Sequence, residues 1–94
     1  MIDFSAVSTE QLIARGQYSM ARQKRVAQIT LLQSLCDQQL SAVSSVLRDV
    51  QNASNVDRHF AFMRVNMEKM AETVAEIDEL TAQLAIIRPL AFPE

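Results

Sequence analysis

Apolar residues recur through the first half of the chain at Val26, Ile29, Leu32, Cys36, Leu40, Val43, Leu47 and Val50, always three or four positions apart. That alternation averages close to the 3.5-residue repeat of helices packed along a seam. Leu31, Leu35, Ala42 and Val46 form a second stripe beside the first, so the apolar face is wider than one seam requires. The second half repeats the pattern with Phe60, Met63, Met67, Met70, Val74, Ile77, Thr81 and Leu84. Glu68, Glu72, Glu76 and Glu79 fall off that line, on positions that would face water. β-Branched residues come singly rather than in period-two runs, so no strand is predicted.

The ends of the two elements carry their own signals. Ser8 followed three positions later by Gln11 fits a capping box, with Glu10 in the positive first turn, so a first helix is predicted over about residues 9–51. Asn52, Ser54 and Asn55 cluster where the pattern breaks, giving a turn over about 52–54. Ser54 with Asp57 makes a second capping box, opening a helix over about 55–87. Pro89 disfavours helical geometry at Arg88, which predicts a stop near Ile87 and an irregular tail over 88–94. Gly16 costs about 1 kcal/mol relative to Ala inside a helix, so it is the weak point of the first helix, where a kink or a frayed first turn would be no surprise and continuity is left open.

A connection this short makes the helices antiparallel neighbours. The fold class expected is therefore all-α: a two-helix, coiled-coil-like hairpin in a single domain. Charge supplies an independent check, because Arg15, Arg22, Lys24 and Arg25 make the first third basic while Glu68, Glu72, Glu76, Asp78 and Glu79 make the second helix acidic. Folding about Ala53 sets Arg25 opposite Thr81 and Arg22 opposite Leu84, so the basic stretch lies beside Asp78 and Glu79.

Composition agrees with helix. Of 94 residues, 49% are apolar but only 5% aromatic, with one Gly and two Pro to build turns. With one Gly, neither a phosphate-binding loop nor a dinucleotide fingerprint can form, and no cofactor is expected. A net charge of −2 makes nucleic acid an unexpected partner. No stretch approaches the roughly 20 apolar residues of a membrane span. The single Cys36 suits a reducing compartment, and the opening Met1 to Val7 contains Asp3 and no basic residue, so a cytoplasmic location is expected.

The candidate chemistry is thin. Cys36 and His59 are the residues that would suggest nucleophilic catalysis, but in the hairpin His59 lies opposite Leu47, roughly 16 Å along the axis from Cys36. Cys36 is expected as a core thiol and His59 as a solvated residue near the turn. The acidic run has one-turn spacing without the Glu-x-x-His pair of a metal-binding bundle, and no metal is expected. The chain therefore reads as a non-enzymatic interaction protein. A lone hairpin of this length leaves apolar surface wet, so oligomerisation or a helical protein partner should complete a bundle. The partner-binding residues expected are Leu31, Leu35 and Val46, the adaptable thioethers Met63, Met67 and Met70, and the apolar end Leu80, Leu84, Ile86 and Ile87.

From Gln17 to Leu84 the chain resembles the phasins, small bacterial proteins that coat polyhydroxyalkanoate granules. The resemblance lies in a Gln- and Ala-rich first helix, a short polar break in LRDVQNASNVDRHFAFM and regularly spaced acids in MEKMAETVAEIDEL. It implies amphipathic helices that lie on an apolar granule surface and self-associate. The chain is also similar in size and helicity to small subunits and chaperones of type III secretion systems.

Overall fold

A computed structural model describes residues 7–52 and 56–93. Two helices, α1 (Thr9–Asp49, 41 residues) and α2 (Val56–Ala91, 36 residues), pack antiparallel, with a single 3-10 turn (Val50–Asn52) leaving α1. The rod measures 72 × 22 × 17 Å, and no strand occurs among the described residues. The predicted cap is present: Ser8 is extended, and its hydroxyl oxygen accepts from the Gln11 amide at 3.1 Å. Ser54 lies outside the described residues, so the second predicted box has no structural counterpart here.

The register agrees with folding about Ala53. Arg25 Nε donates to Thr81 Oγ1 at 2.9 Å, and Arg15 Nε donates to the Ala91 carbonyl at 2.9 Å. The expected pairing of the basic stretch with Asp78 and Glu79 does not form: among the described residues the one ion pair within 4 Å is Asp49 with His59. Asp78 and Glu79 are exposed on the outer surface of α2, and Arg25 reaches a hydroxyl instead.

The seam itself runs on different residues from those expected. On α1 the covered or half-covered line is Gln11, Ala14, Tyr18, Ala21, Arg25, Gln28, Leu32, Leu35, Gln39, Ala42, Val46 and Asp49. On α2 it is Val56, His59, Met63, Asn66, Met70, Thr73, Ile77, Leu80, Leu84, Ile87 and Ala91. Both lines alternate three and four without interruption, as a seam must. The best-buried members are small: Ala14, Ala21, Ala42, Thr73 and Ala91, with Leu35 and Leu80 as the large exceptions. Small side chains at the contact let two helix backbones approach to the short end of the usual range of about 8–10 Å.

The buried polar residues on the seam are satisfied. Asn66, nearly fully buried, donates through Nδ2 to the Leu35 carbonyl and to Gln39 Oε1, both at 2.9 Å. Thr73 ties its hydroxyl back to the Lys69 carbonyl at 2.7 Å, leaving its methyl for the seam. Among the described residues no buried side-chain nitrogen or oxygen lacks a partner.

One open question is answered and one boundary expectation is corrected. Helix α1 runs unbroken through Gly16, an entropic cost of about 1 kcal/mol that the long helix around it absorbs, and a Cβ added there would meet no atom within 4 Å. Helix α2 does not stop at Ile87 but continues through Pro89 to Ala91. A proline this near the end forfeits one backbone bond, to the Ala85 carbonyl on an exposed side of the helix. The last turn is held instead by the fully buried Ala91 and by Arg15 on its carbonyl.

Two outcomes follow from this packing. Gly16→Ala should raise stability by about 0.5–1 kcal/mol, seen as a higher urea midpoint with unchanged slope. Asn66→Leu should leave stability equal or higher while loosening register, since a buried amide specifies alignment at some cost in free energy. A double-electron-resonance distance between labels on the two helices should broaden in that variant; a distribution as narrow as wild type would show that Asn66 does not set the register.

Candidate functional site: an uncovered apolar flank

One residue beyond each seam position on a helix lies about 100° around it, and four residues beyond lies about 40° around. On α1 those places are filled by Val26, Ile29, Cys36, Leu40, Val43, Leu47 and Val50, the line expected to be the seam. Most of it is open to water: Val26 is 61% exposed, Leu40 66% and Leu47 70%. On α2 the equivalent places hold Phe60, Met67 and Val74, also exposed, with Asp57, Arg64, Ala71 and Asp78 exposed beside them.

Both sets lie on the same flank of the rod. The bond from the seam residue Arg25 to Thr81, which follows Leu80 as Met67 follows Asn66, runs along this side. On the opposite side Gln38, Ser45 and Phe62 share one shallow hollow, together with Ser34 and Ser41. The apolar flank thus extends from Val50 and Phe60 near the turn to Val26 about midway along the rod. Towards the open end the same flank turns basic, carrying Arg15, Arg22, Arg25 and Arg88.

The partner-binding residues expected from the sequence are distributed over three environments. Leu35 and Leu80, each 6% exposed, are core residues of the hairpin, not surface left over by it. Val46, Met63, Met70, Leu84 and Ile87 are half-buried on the seam, and Met67 alone of the set is exposed on the apolar flank. Leu31 and Ile86 are exposed but lie around the other side, where Ile13, Met20 and Leu90 add apolar surface near the open end. What sequence reasoning assigned to the wrong surface was Leu40, Val43, Leu47, Val50, Phe60 and Val74.

The catalytic candidates are separated or occupied. Cys36 is half-buried on α1, eleven residues of helix from the level of His59, or roughly 16 Å. His59 is not simply solvated as expected: its Nε2 is 2.8 Å from Asp49 Oδ2, and both side chains are half-buried. Ser45 lines the hollow beside this pair, an arrangement the sequence did not suggest. Its hydroxyl, however, donates to the Ser41 carbonyl at 3.0 Å and accepts from Arg48 at 3.3 Å, so it is not held by the imidazole. The Asp49–His59 pair clasps the two helices near the turn. Glu68, Glu72, Glu76 and Glu79 are exposed, and no cluster of three metal-ligating side chains occurs among the described residues.

At the open end Phe92 packs edge-on against Tyr18 with ring centroids 5.4 Å apart, and the Arg15 guanidinium lies 5.3 Å from the centre of the Phe92 ring. This clasp forms one wall of a hollow of about 520 Å³ that also includes Arg22 and Val26. Among the described residues no helix is long and apolar enough to cross a membrane. Comparison with protein-family models, with curated proteins and with solved structures finds no match.

Phe92→Ala should unlatch the open end at a cost of about 1–2 kcal/mol, the sum of an aromatic pair and a cation–π contact. Amide exchange should accelerate over residues 88–92 and stay unchanged around Asn66; an unchanged rate at the terminus would show that the clasp holds nothing.

Proposed function

We propose that this chain is a non-enzymatic helical interaction protein that acts by burying its apolar flank, and that it works in the cytoplasm of a bacterium. The observation that carries the reading is the exposure of Val26, Leu40, Val43, Leu47, Val50, Phe60, Met67 and Val74 on one side of the rod. Isolated exposed apolar residues are ordinary, but a contiguous patch of this extent on a small protein marks an interaction surface. The residues buried by the hairpin leave this patch untouched, so its covering is a separate event from folding the pair.

Association through such a surface is driven by removing apolar area from water, which yields about 1.5–3 kcal/mol for a fully buried leucine or valine. Methionine contributes adaptability, and Met67 is at the centre of the flank with Met63 and Met70 half-buried beside it. The single Cys36 fits a reducing compartment.

A second reading, a phasin-like coat on an apolar granule, draws support from the apolar residues on the other side of the open end, Ile13, Met20, Ile86 and Leu90. A particle surface would accept apolar contacts over the length of the rod, whereas a protein partner needs one shaped patch.

Leu40→Glu combined with Leu47→Glu tests the first reading. Both side chains are exposed, so helicity by circular dichroism should be retained, while association with any binding partner should weaken at least tenfold. If the double variant matched wild type in mass by light scattering and in capture of co-purifying protein, the flank would not be the working surface. Flotation of wild type, but not of the double variant, with polyhydroxyalkanoate particles would favour the coat.

A further inference from the structure

We propose that the open end carries a binding site for a phosphate monoester with an apolar body, the phosphate held between Arg15 and Arg22 and the body lying against Tyr18, Phe92 and Val26. The site is separate from the stretch around Leu40 and Leu47 on which the interaction reading is tested, so either can fail without the other.

Charge is the first support. Residues 11–26 contain Arg15, Arg22, Lys24 and Arg25 and no acid, and residues 80–93, which lie beside them, contain Arg88 and no acid. Glu10 apart, every acid among the described residues falls within 37–79. Asp78 comes nearest on this flank, six residues of helix from the level of Arg22, or about 9 Å, and it pairs with none of the arginines within 4 Å. A net charge of −2 thus conceals a rod with one cationic end, which draws in small anions.

Geometry is the second. Arg15 and Arg22 are two turns apart on α1, about 10 Å along the axis. Both line the open hollow of about 520 Å³, with Ser19 between them, so an anion at the level of Ser19 is within reach of both side chains. Arg15 is already fixed: its Nε donates to the Ala91 carbonyl at 2.9 Å and its guanidinium lies 5.3 Å from the Phe92 ring centre. Its terminal N–H groups are left for a ligand, and donors placed in advance lose less freedom on binding. Arg22 is exposed and takes part in no hydrogen bond or ion pair among the described residues. Two guanidinium groups match a phosphate monoester, which carries about −1.5 to −2 charge at pH 7 and accepts their paired donors.

The remaining wall selects what the phosphate is attached to. Val26 is 61% exposed and Phe92 48%, with half-buried Tyr18 edge-on to Phe92. Inorganic phosphate would leave these surfaces wet, whereas an alkyl or aryl body covers them.

Octyl phosphate, kept below its micelle concentration, is the probe. Isothermal titration calorimetry should find it bound at least tenfold more tightly than inorganic phosphate. Emission from Tyr18, the sole tyrosine of a chain without tryptophan, should change as it binds. Arg22→Gln should weaken binding at least tenfold with helicity kept. Lys24→Gln, which removes the same charge from an exposed position outside the hollow, should weaken it less than twofold. Equal loss in the two variants would overturn the site in favour of undirected attraction to the basic end. Inorganic phosphate bound as tightly as the octyl ester would overturn the apolar wall. No binding of either, or binding that leaves Tyr18 emission unchanged, would overturn the proposal outright. Sedimentation with phosphatidylcholine vesicles containing phosphatidic acid separates two sources of the group. Wild type bound, and Arg22→Gln not, would place the phosphate in a lipid headgroup; octyl phosphate bound without the vesicles would place it in solution.

Discussion

The contact on which the rest of the molecule depends is a seam built from small and polar side chains. Ala14, Ala21 and Ala42 are its buried members on α1 and Thr73 and Ala91 on α2, while Asn66 reaches across to Gln39 and to the Leu35 carbonyl. Alanine at a helix contact brings the backbones close. Large seam residues such as Leu32, Met63 and Leu84 stay half-buried, and the other bulky residues lie to the side. Exposure of Leu40, Leu47, Phe60 and Met67 is thus a consequence of how the pair packs, not a failure to pack.

Polar groups on that seam act as alignment marks. An apolar seam with an unbroken three-four repeat is nearly as well satisfied after a slip of seven residues, because every contact is replaced by one of the same kind. Asn66 has donors that only Gln39 and Leu35 meet in this register, and Asp49 with His59 and Arg15 with the Ala91 carbonyl fix the two ends. Each bond contributes little net free energy, about 1 kcal/mol, but a slip would leave a buried amide unpaired at a larger cost.

The architecture was legible in the sequence and the seam only half so, for a reason that can be stated. In α2 the positions Met63, Met70, Ile77 and Leu84 belong to two different three-four lines. One adds Phe60, Met67, Val74 and Thr81; the other adds His59, Asn66, Thr73, Leu80 and Ile87. Both have the same period and differ by about 100° around the helix at alternate positions. Hydrophobicity favours the first line, and the structure takes the second, because its polar members find partners on α1 and its small members fit. The wide face of α1 hid the same ambiguity: Leu35, Ala42 and Val46 were the inner stripe and Val26, Leu40, Val43 and Leu47 the outer one. The continuation of α2 past Pro89 was not legible, since it depends on Arg15, some seventy residues earlier, meeting the last turn.

Two surfaces with one period have an energetic consequence. The seam of small residues buries little area per residue, and no large side chain among those described is fully enclosed. A 94-residue chain already buries a smaller share of its surface than larger domains do. Any partner that covered the outer stripe would therefore add to the stability of the hairpin through mass action, in proportion to the logarithm of its concentration over its dissociation constant once that concentration is well above it. The two functions of the apolar residues are divided by position. The inner line decides which residues of α1 meet which of α2, with polar bonds as the guide; the outer line, free of charge between Val26 and Val50 on α1, is left mostly open to water. Moving a leucine from the outer line to the inner would thicken the seam and push the helices apart, strengthening neither.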